Sequence, residues 1–310
     1  MNRDTRIVFI NTGGSFFLPY VLHQAKHLNP SSAIVLIGDA GNYDFVQFEQ
    51  IENLASDDID SFRRNYVHRS TNPPQFELFC WERWFYLRNF MRKEQADSAL
   101  YLDSDVLLFS SLEEIRQGYA GVEWECGLTV PQGGPASGHI SYWTMDALEE
   151  FCRFAGESFR EGSASQLYEQ KWQRHLAHGV PGGVCDMTTI ELFYQSNIRR
   201  IINLAAPYRG NVFDHNINFG DNSEPGQYVV EGGIKKVSFI GGVPFLCHTG
   251  NGKMDRAHAL HFQGSAKRFI REFYRGGLFP GKTRCDLVFL FHSLRLWARL
   301  LLDGFLRLFV

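Results

Sequence analysis

The stretch that decides the fold is RIVFINTGGSFFLPYVLHQAKHLNPSSAIVLIGD, residues 6–39. Its first six residues form a short β-branched run that predicts a buried strand ending in an Asn-Thr-Gly-Gly turn, and residues 33–39 predict a second strand. The segment between the two runs fits a helix. Strand, helix and strand in this order predict a βαβ unit, hence a mostly parallel sheet with helices on both faces. Such sheets bind ligands beyond the carboxyl ends of their strands, where Asn11, Thr12 and Asp39 lie.

Composition sets the outer limits of function. The chain has 310 residues, of which 44% are hydrophobic and 21% charged, so we expect one large domain with an appendage. The net charge of -3 gives no support for a nucleic-acid partner. The six cysteines form no C-x-x-C pair, which favours reduced thiols in a cytoplasmic protein over a structural zinc site. We expect neither a signal peptide nor a clean membrane span.

Two aspartates interrupt a very apolar run in YLDSDVLLF, residues 101–109. Residues two apart on an extended chain face the same side, so Asp103 and Asp105 are predicted to point together. Two buried like charges need a positive group between them, and a divalent cation that prefers oxygen ligands is the simplest candidate. The alternative is that the strand ends here and water solvates both carboxylates.

A second motif lies far downstream, in HFQGSAK. His261, Gly264 and Lys267 follow the spacing H-x-x-G-x-x-K. An imidazole completes a mixed oxygen and nitrogen site that suits Mn²⁺ or Mg²⁺. Glycine lets the backbone approach a ligand closely, and lysine supplies a point charge for a phosphate oxygen. A single histidine is more often packed in the core, and a single lysine is more often solvated. Together at this spacing, the motif predicts a site that binds a diphosphate.

These two motifs, with the arginine-bearing helix before the first, resemble nucleotide-sugar glycosyltransferases of the GT-A fold. The chain is most similar to the retaining glycogenin-like and lipopolysaccharide galactosyltransferase-like group, over roughly residues 6 to 275. The resemblance implies a Rossmann-like, mostly parallel sheet with helices on both faces. It also implies a Mn²⁺ or Mg²⁺ ion held by Asp103, Asp105 and His261, phosphate contacts from Gly264 and Lys267, nucleotide contacts from Asn11, Thr12 and Asp39, and a donor contact from Arg83.

The implied activity is transfer of a hexose from a nucleotide sugar, UDP-linked by preference, to a glycan or glycolipid acceptor. Similar enzymes carry an acidic residue near the reacting sugar where this chain has Asp186, so Asp186 joins Asp105 as a catalytic candidate. Asp186 can alternatively cap the helix that follows it. The late motif favours retention at the sugar carbon, whereas inversion needs a carboxylate base, for which Asp186 and Asp214 are the candidates.

The C-terminal segment, residues 281–310, is predicted to be an amphipathic helix appended to a catalytic domain of residues 1–280. Arg295, Arg299, Asp303 and Arg307 recur every four residues, and Trp, Phe and Leu occupy the other faces. This pattern is typical of a helix that lies on an anionic membrane surface. It would hold the enzyme on the inner face of the membrane, near a lipid-linked glycan or lipopolysaccharide precursor. The alternatives are packing on the catalytic domain or on a second subunit in a homodimer.

Two other functions compete with glycosyl transfer. A nucleotidyltransferase or phosphohydrolase could use the aspartate pair to bind metal, but it should carry further carboxylates nearby and no late His-Gly-Lys element. A non-catalytic module could bind a nucleotide or glycan without turnover. Discrimination among the three depends on which side chains meet at the aspartates.

Overall fold

The computed structural model describes residue 1 and residues 4–41, 43–160 and 162–292. Its strands are β1 (Arg6–Asn11), β2 (Ile34–Gly38), β3 (Gln47–Gln50), β4 (Ser98–Leu102), β5 (Val106–Leu108), β6 (Cys126–Thr129), β7 (Ser137–Thr144), β8 (Ile201–Asn203), β9 (Asn211–Phe213), β10 (Val230–Glu231), β11 (Ile234–Lys235), β12 (Val237–Ile240), β13 (Val243–Cys247) and β14 (Met254–His261). Its helices are α1 (Leu18–Leu28), α2 (Asp57–Asn65), α3 (Pro74–Lys93), α4 (Leu112–Gly118), α5 (Met145–Ser158), α6 (Ser163–His178), α7 (Asp186–Ser196) and α8 (Ile270–Phe273), with 3₁₀ segments at Ile51–Leu54 and Gly264–Phe269.

A seven-stranded sheet in the order β3-β2-β1-β4-β7-β6-β8 forms the centre of the fold. Strands β1 and β2 pair in parallel, as the sequence predicts, and β1 also pairs in parallel with β4. Within this sheet β7 runs against both of its neighbours. The predicted α/β fold with a mostly parallel sheet is therefore confirmed.

Alternation along β1 divides the core into two layers. Ile7 and Phe9 pack in the layer that contains α1. Val8 and Ile10 pack in the opposite layer, with the buried faces of α3, α5 and α7. Since successive side chains of a strand point to opposite faces, one continuous apolar run supplies both layers.

A second sheet, in the order β12-β13-β14-β5, stands beside the first, and β9 pairs in parallel with β14. The chain leaves the central sheet at the end of β4 and enters this second sheet at β5, within three residues. The two aspartates of YLDSDVLLF lie in that crossing. The sheet change therefore brings residues from the last third of the chain to the aspartates.

Residues 282–292 are helical and pack against α1. Phe289 is 3% exposed, whereas Leu287 and Leu290 on the same helix are 64% and 49% exposed. Within the described residues, no helix combines the length and apolarity required to cross a bilayer. The predicted ridge of Arg295, Arg299, Asp303 and Arg307 lies outside the described residues.

Candidate active site

The carboxyl ends of β2, β1 and β4 form one edge, and the predicted nucleotide residues lie along it. Asn11 ends β1, exposed Thr12 follows it, and exposed Asp39 follows β2. The Asp39 carboxylate accepts a hydrogen bond from the Gly13 amide at 2.8 Å, which joins the two strand ends. A Cβ on Gly38 would lie 2.4 Å from the Asn11 carbonyl oxygen, so only glycine permits this approach. The structure therefore brings these three predicted residues together.

The two aspartates do not lie on one extended strand. Residues 103–105 form a turn in which the Val106 amide donates to the Asp103 carbonyl oxygen at 3.0 Å. Strand alternation therefore does not govern the two side chains, because the chain changes sheets here. Each aspartate instead belongs to its own charged cluster.

The first cluster joins Asp103 and Asp186 through Arg83. The guanidinium donates to Asp103 at 2.8 Å and to Asp186 at 2.6 Å. Tyr101 also donates to Asp103, at 2.6 Å, and the Trp84 indole donates to Asp186 at 3.1 Å. Both hydrogen bonds of Asp103 to described residues use Oδ1. Arg83 therefore bridges the predicted metal ligand and the predicted catalytic acid, as a planar fork of donors allows.

Asp186 does not cap the helix that follows it. Cys185 occupies the N-cap position, and Asp186 is the first residue of α7. Its Oδ1 accepts a hydrogen bond from the Met187 amide at 2.9 Å, and its side chain is 4% exposed. The Asp186 carboxylate thus accepts from an arginine, an indole and a backbone amide.

The second cluster joins Asp105 to the H-x-x-G-x-x-K motif. The Asp105 carboxylate lies 3.5 Å from His261 Nε2 and 3.1 Å from Lys267 Nζ. Antiparallel pairing of β5 with β14 places His261 opposite Val106, directly beside Asp105. Gly264 then turns the chain with a φ of +60°, a left-handed conformation that glycine adopts without strain, and Lys267 returns over the carboxylate.

In this second cluster, burial and the neighbouring charges shift the pKa values of Asp105 and His261 in opposite directions. Burial raises the pKa of Asp105, but His261 and Lys267 outweigh it and hold that pKa at about 2. Burial likewise lowers the pKa of His261, and the Asp105 carboxylate reverses the effect, so the net pKa is raised. In the first cluster burial dominates, because the pKa of Asp103 is raised in spite of Arg83. Asp105 is thus the carboxylate with the stronger preference for its charged form.

The geometry of His261 suits a metal ligand. Its Nδ1 lies 2.8 Å from the His215 carbonyl oxygen, which can only accept, so Nδ1 carries the proton and Nε2 faces Asp105. An imidazole oriented by a backbone carbonyl is the usual arrangement around a bound metal. A cation would separate the lone pair of Nε2 from the carboxylate, and adjacent ligands of a small octahedral ion lie about 3 Å apart.

Asp103, the third residue predicted to bind the metal ion, is oriented differently from Asp105 and His261. Asp103 faces Arg83, and within the described part of the chain no three His, Cys, Asp or Glu side chains converge on one metal position. Asp105 and His261, 3.5 Å apart, are the side chains that could hold a divalent ion.

Sequence reasoning missed two histidines at the site. The ring of His139 stacks on that of His261 with 4.0 Å between centroids, and His215 lies 5.0 Å from His139. Burial lowers the pKa of His139 well below its usual range and that of His215 to about 3, so both rings stay neutral near neutral pH. His139 is held by Ser137 and Thr129. No spacing in the sequence marks either histidine, because both reach the site through tertiary packing.

Asp214, the other candidate base, is fully buried in an ion pair. Lys235 Nζ donates to it at 2.5 Å, and neither side chain is exposed. Its second oxygen accepts a hydrogen bond from the His261 amide at 3.2 Å. Asp214 therefore positions the backbone of His261 and is unavailable to an acceptor hydroxyl.

No protein-family model matches the chain, and no curated protein matches it in sequence. Solved structures of similar fold include mouse xyloside xylosyltransferase 1, at 9% identity and a TM-score of 0.45 over 68% of this chain and 85% of that chain. An active-site mutant of LgtC has 14% identity and a TM-score of 0.44, over 91% of this chain and 99% of that one. The bifunctional WbbM glycosyltransferase has 10% identity and a TM-score of 0.49 over 92% of this chain, which spans 52% of WbbM.

These values describe the course of the backbone, so the case for a particular chemistry rests on the residues of the site.

Proposed function

We propose that this chain is a metal-dependent glycosyltransferase that moves a hexose from a UDP-linked donor to a glycan or glycolipid acceptor. The observation that carries the proposal is the meeting of Asp105, His261 and Lys267 at the edge that also holds Asn11 and Asp39. One end of this edge offers polar groups to a nucleoside. The other end offers a carboxylate, an imidazole and an ammonium group, which suit a diphosphate and its counter-ion.

Each group has a distinct part in the proposed reaction. A divalent ion, when bound, neutralises charge on the departing diphosphate. Asp105 and His261 would hold that ion, with Asp103 as the third ligand. Lys267 is 36% exposed, so its ammonium group can move from Asp105 to a phosphate oxygen of the donor. Arg83 keeps Asp103 and Asp186 in place on the donor side of the site.

The site favours retention of configuration. Inversion needs a carboxylate that takes the proton of the acceptor hydroxyl. Asp186 already accepts from Arg83, Trp84 and Met187, and Asp214 is paired with Lys235. The leaving diphosphate itself would then accept that proton, on the face of the sugar from which it departs. NMR of the product tests this, because an inverted anomeric carbon would contradict the assignment.

The competing nucleotidyltransferase and phosphohydrolase functions need carboxylates that are available to metal. Asp186, which shares Arg83 with Asp103, is fully engaged by protein donors. The presence of the late histidine and lysine beside Asp105 also favours glycosyl transfer. Product analysis separates the classes: a nucleoside diphosphate marks glycosyl transfer, pyrophosphate marks nucleotidyl transfer, and tight binding without turnover marks a binding module.

The decisive experiment is a thermal-shift screen of nucleotide sugars with and without Mn²⁺. Donor at about 100 times its Kd should stabilise the native chain by about 2.7 kcal/mol, only when Mn²⁺ is present. Asp105→Ala should abolish this shift. Asp57→Asn, which changes an exposed carboxylate on α2, should preserve it. An equal shift in Asp105→Ala, confirmed by calorimetry, would remove the proposed metal site.

We also propose that the C-terminal segment attaches the enzyme to an anionic membrane surface, where a lipid-linked acceptor would lie. Leu287 and Leu290 are exposed on the helix that carries the packed Phe289, Leu278 is exposed shortly before this helix, and Lys282 and Arg284 lie in its first turn. A chain that ends after Lys282 should fail to float with vesicles that contain phosphatidylglycerol, whereas the full chain should float. Equal flotation of the two would contradict this attachment.

A further inference from the structure

The loop between β1 and α1, residues 12–17, borders the proposed nucleotide site and contains two adjacent glycines. Gly13 has a φ of +73°, and a Cβ on either Gly13 or Gly14 would meet nothing within 4 Å. At its start the loop is fixed by Asn11 Nδ2, which donates to the Gly13 carbonyl oxygen at 2.8 Å, and by the Gly13 bond to Asp39. Glycine pairs carry high conformational entropy, so the far end of the loop also needs support.

That support comes from the C-terminal helix. The Phe16 ring stacks on His292 with 4.8 Å between centroids and 10° between planes, and meets Phe289 edge-on at 5.0 Å. The helix is held to α1 by Asp286, which accepts a hydrogen bond from Tyr20 at 2.6 Å. The aromatic contact thus joins residues at opposite ends of the chain.

The same contacts continue to the aspartates. Phe16 packs edge-on against Phe17 at 5.1 Å, and Lys267 Nζ lies 5.6 Å from the centre of the Phe17 ring. Lys267 in turn pairs with Asp105 at 3.1 Å. A continuous series of side-chain contacts therefore leads from His292 to the proposed metal ligand.

We propose that Phe289 and His292 are positioning residues for donor binding, acting through Phe16 on the glycine loop and through Phe17 on Lys267. The inference rests on the proposed function and adds a role that the catalytic motifs do not contain. A loop ordered before the donor arrives loses less entropy when the donor binds. Removing the aromatic support transfers that ordering cost to the binding step and leaves the chemical step as it was.

The test uses the full chain and UDP with Mn²⁺, titrated by calorimetry. One aromatic pair is worth about 1 kcal/mol, so His292→Ala should weaken UDP binding about fivefold. It should also raise KM for the nucleotide-sugar donor while kcat stays unchanged. His292→Phe retains a flat ring and should restore the affinity. Leu287→Ala, on the exposed side of the same helix, should bind UDP like the wild type.

Circular dichroism establishes that each variant is folded, and Phe289→Ala serves as the second variant because its side chain is the buried contact. UDP affinity unchanged in both His292→Ala and Phe289→Ala would overturn this inference and leave the proposed function intact. Loss of affinity that His292→Phe does not restore would also overturn it. Failure of the wild type to bind UDP would instead remove the proposed function itself.

Discussion

Replacing Lys235 by methionine should destabilise the protein severely, although Lys235 lies outside the proposed chemistry. Its ammonium group donates to Asp214 at 2.5 Å and to Asn222 at 2.6 Å, and neither member of the ion pair is exposed. Methionine would leave Asp214 charged, buried and without its cation. Removing one partner of a buried pair costs about 3–5 kcal/mol, a large fraction of the free energy of unfolding of an ordinary domain.

Urea denaturation followed by far-ultraviolet circular dichroism measures the effect. With an m-value of about 3 kcal/mol per molar, the midpoint should fall by roughly 1 M or more. Lys236→Met is the matched control, since among the described residues the side chain of this neighbouring lysine makes an exposed pair with Glu231, and its midpoint should be unchanged.

A double variant separates the lost charge pair from lost packing. Asp214→Asn keeps an acceptor for the His261 amide and removes the stranded charge, so Lys235→Met with Asp214→Asn should recover at least about 2 kcal/mol. A cost below about 1 kcal/mol for Lys235→Met, or no recovery in the double variant, would refute this reasoning.

Three further predictions follow from the described contacts. Burial lowers the pKa of His258 to about 3, so this ring is neutral in the fold and it contributes a loss of stability as pH falls below about 6.5. At pH 5 its share of the loss is about 2 kcal/mol, and because His139 and His215 add to the same slope, His258→Gln should reduce that slope of a thermal-melting pH profile by this share. A Cβ on Gly138 would lie 2.3 Å from the Trp84 ring, so Gly138→Ala should lower the free energy of unfolding by about 1–3 kcal/mol in urea denaturation. Gly156 lies on α5, where a Cβ would meet open space, so Gly156→Ala should raise the free energy of unfolding by about 0.5–1 kcal/mol. Arg83→Lys loses the planar fork that spans Asp103 and Asp186, and it should weaken Mn²⁺-dependent UDP binding about tenfold by calorimetry.

Local pattern was enough to predict the first strands of the sheet and the edge at which they end. The apolar runs at residues 6–11 and 33–39 are too continuous for a solvated strand, and the helix between them requires parallel pairing. Asn11, Thr12 and Asp39 follow directly from that topology. The spacing of His261, Gly264 and Lys267 also marked the second half of the site, because the three residues lie close together in sequence.

Only the tertiary structure decided what each aspartate contacts. Strand alternation assumed an extended chain at residues 103–105, but the chain turns there between two sheets. Asp103 accepts a hydrogen bond from Arg83, and Asp105 pairs with His261. That turn depends on the pairing of β5 with β14, which joins segments far apart along the chain. The position of His139, stacked on His261, depends in the same way on tertiary packing. Residue types and spacings report local geometry, whereas the register between distant strands is set by burial over the whole core.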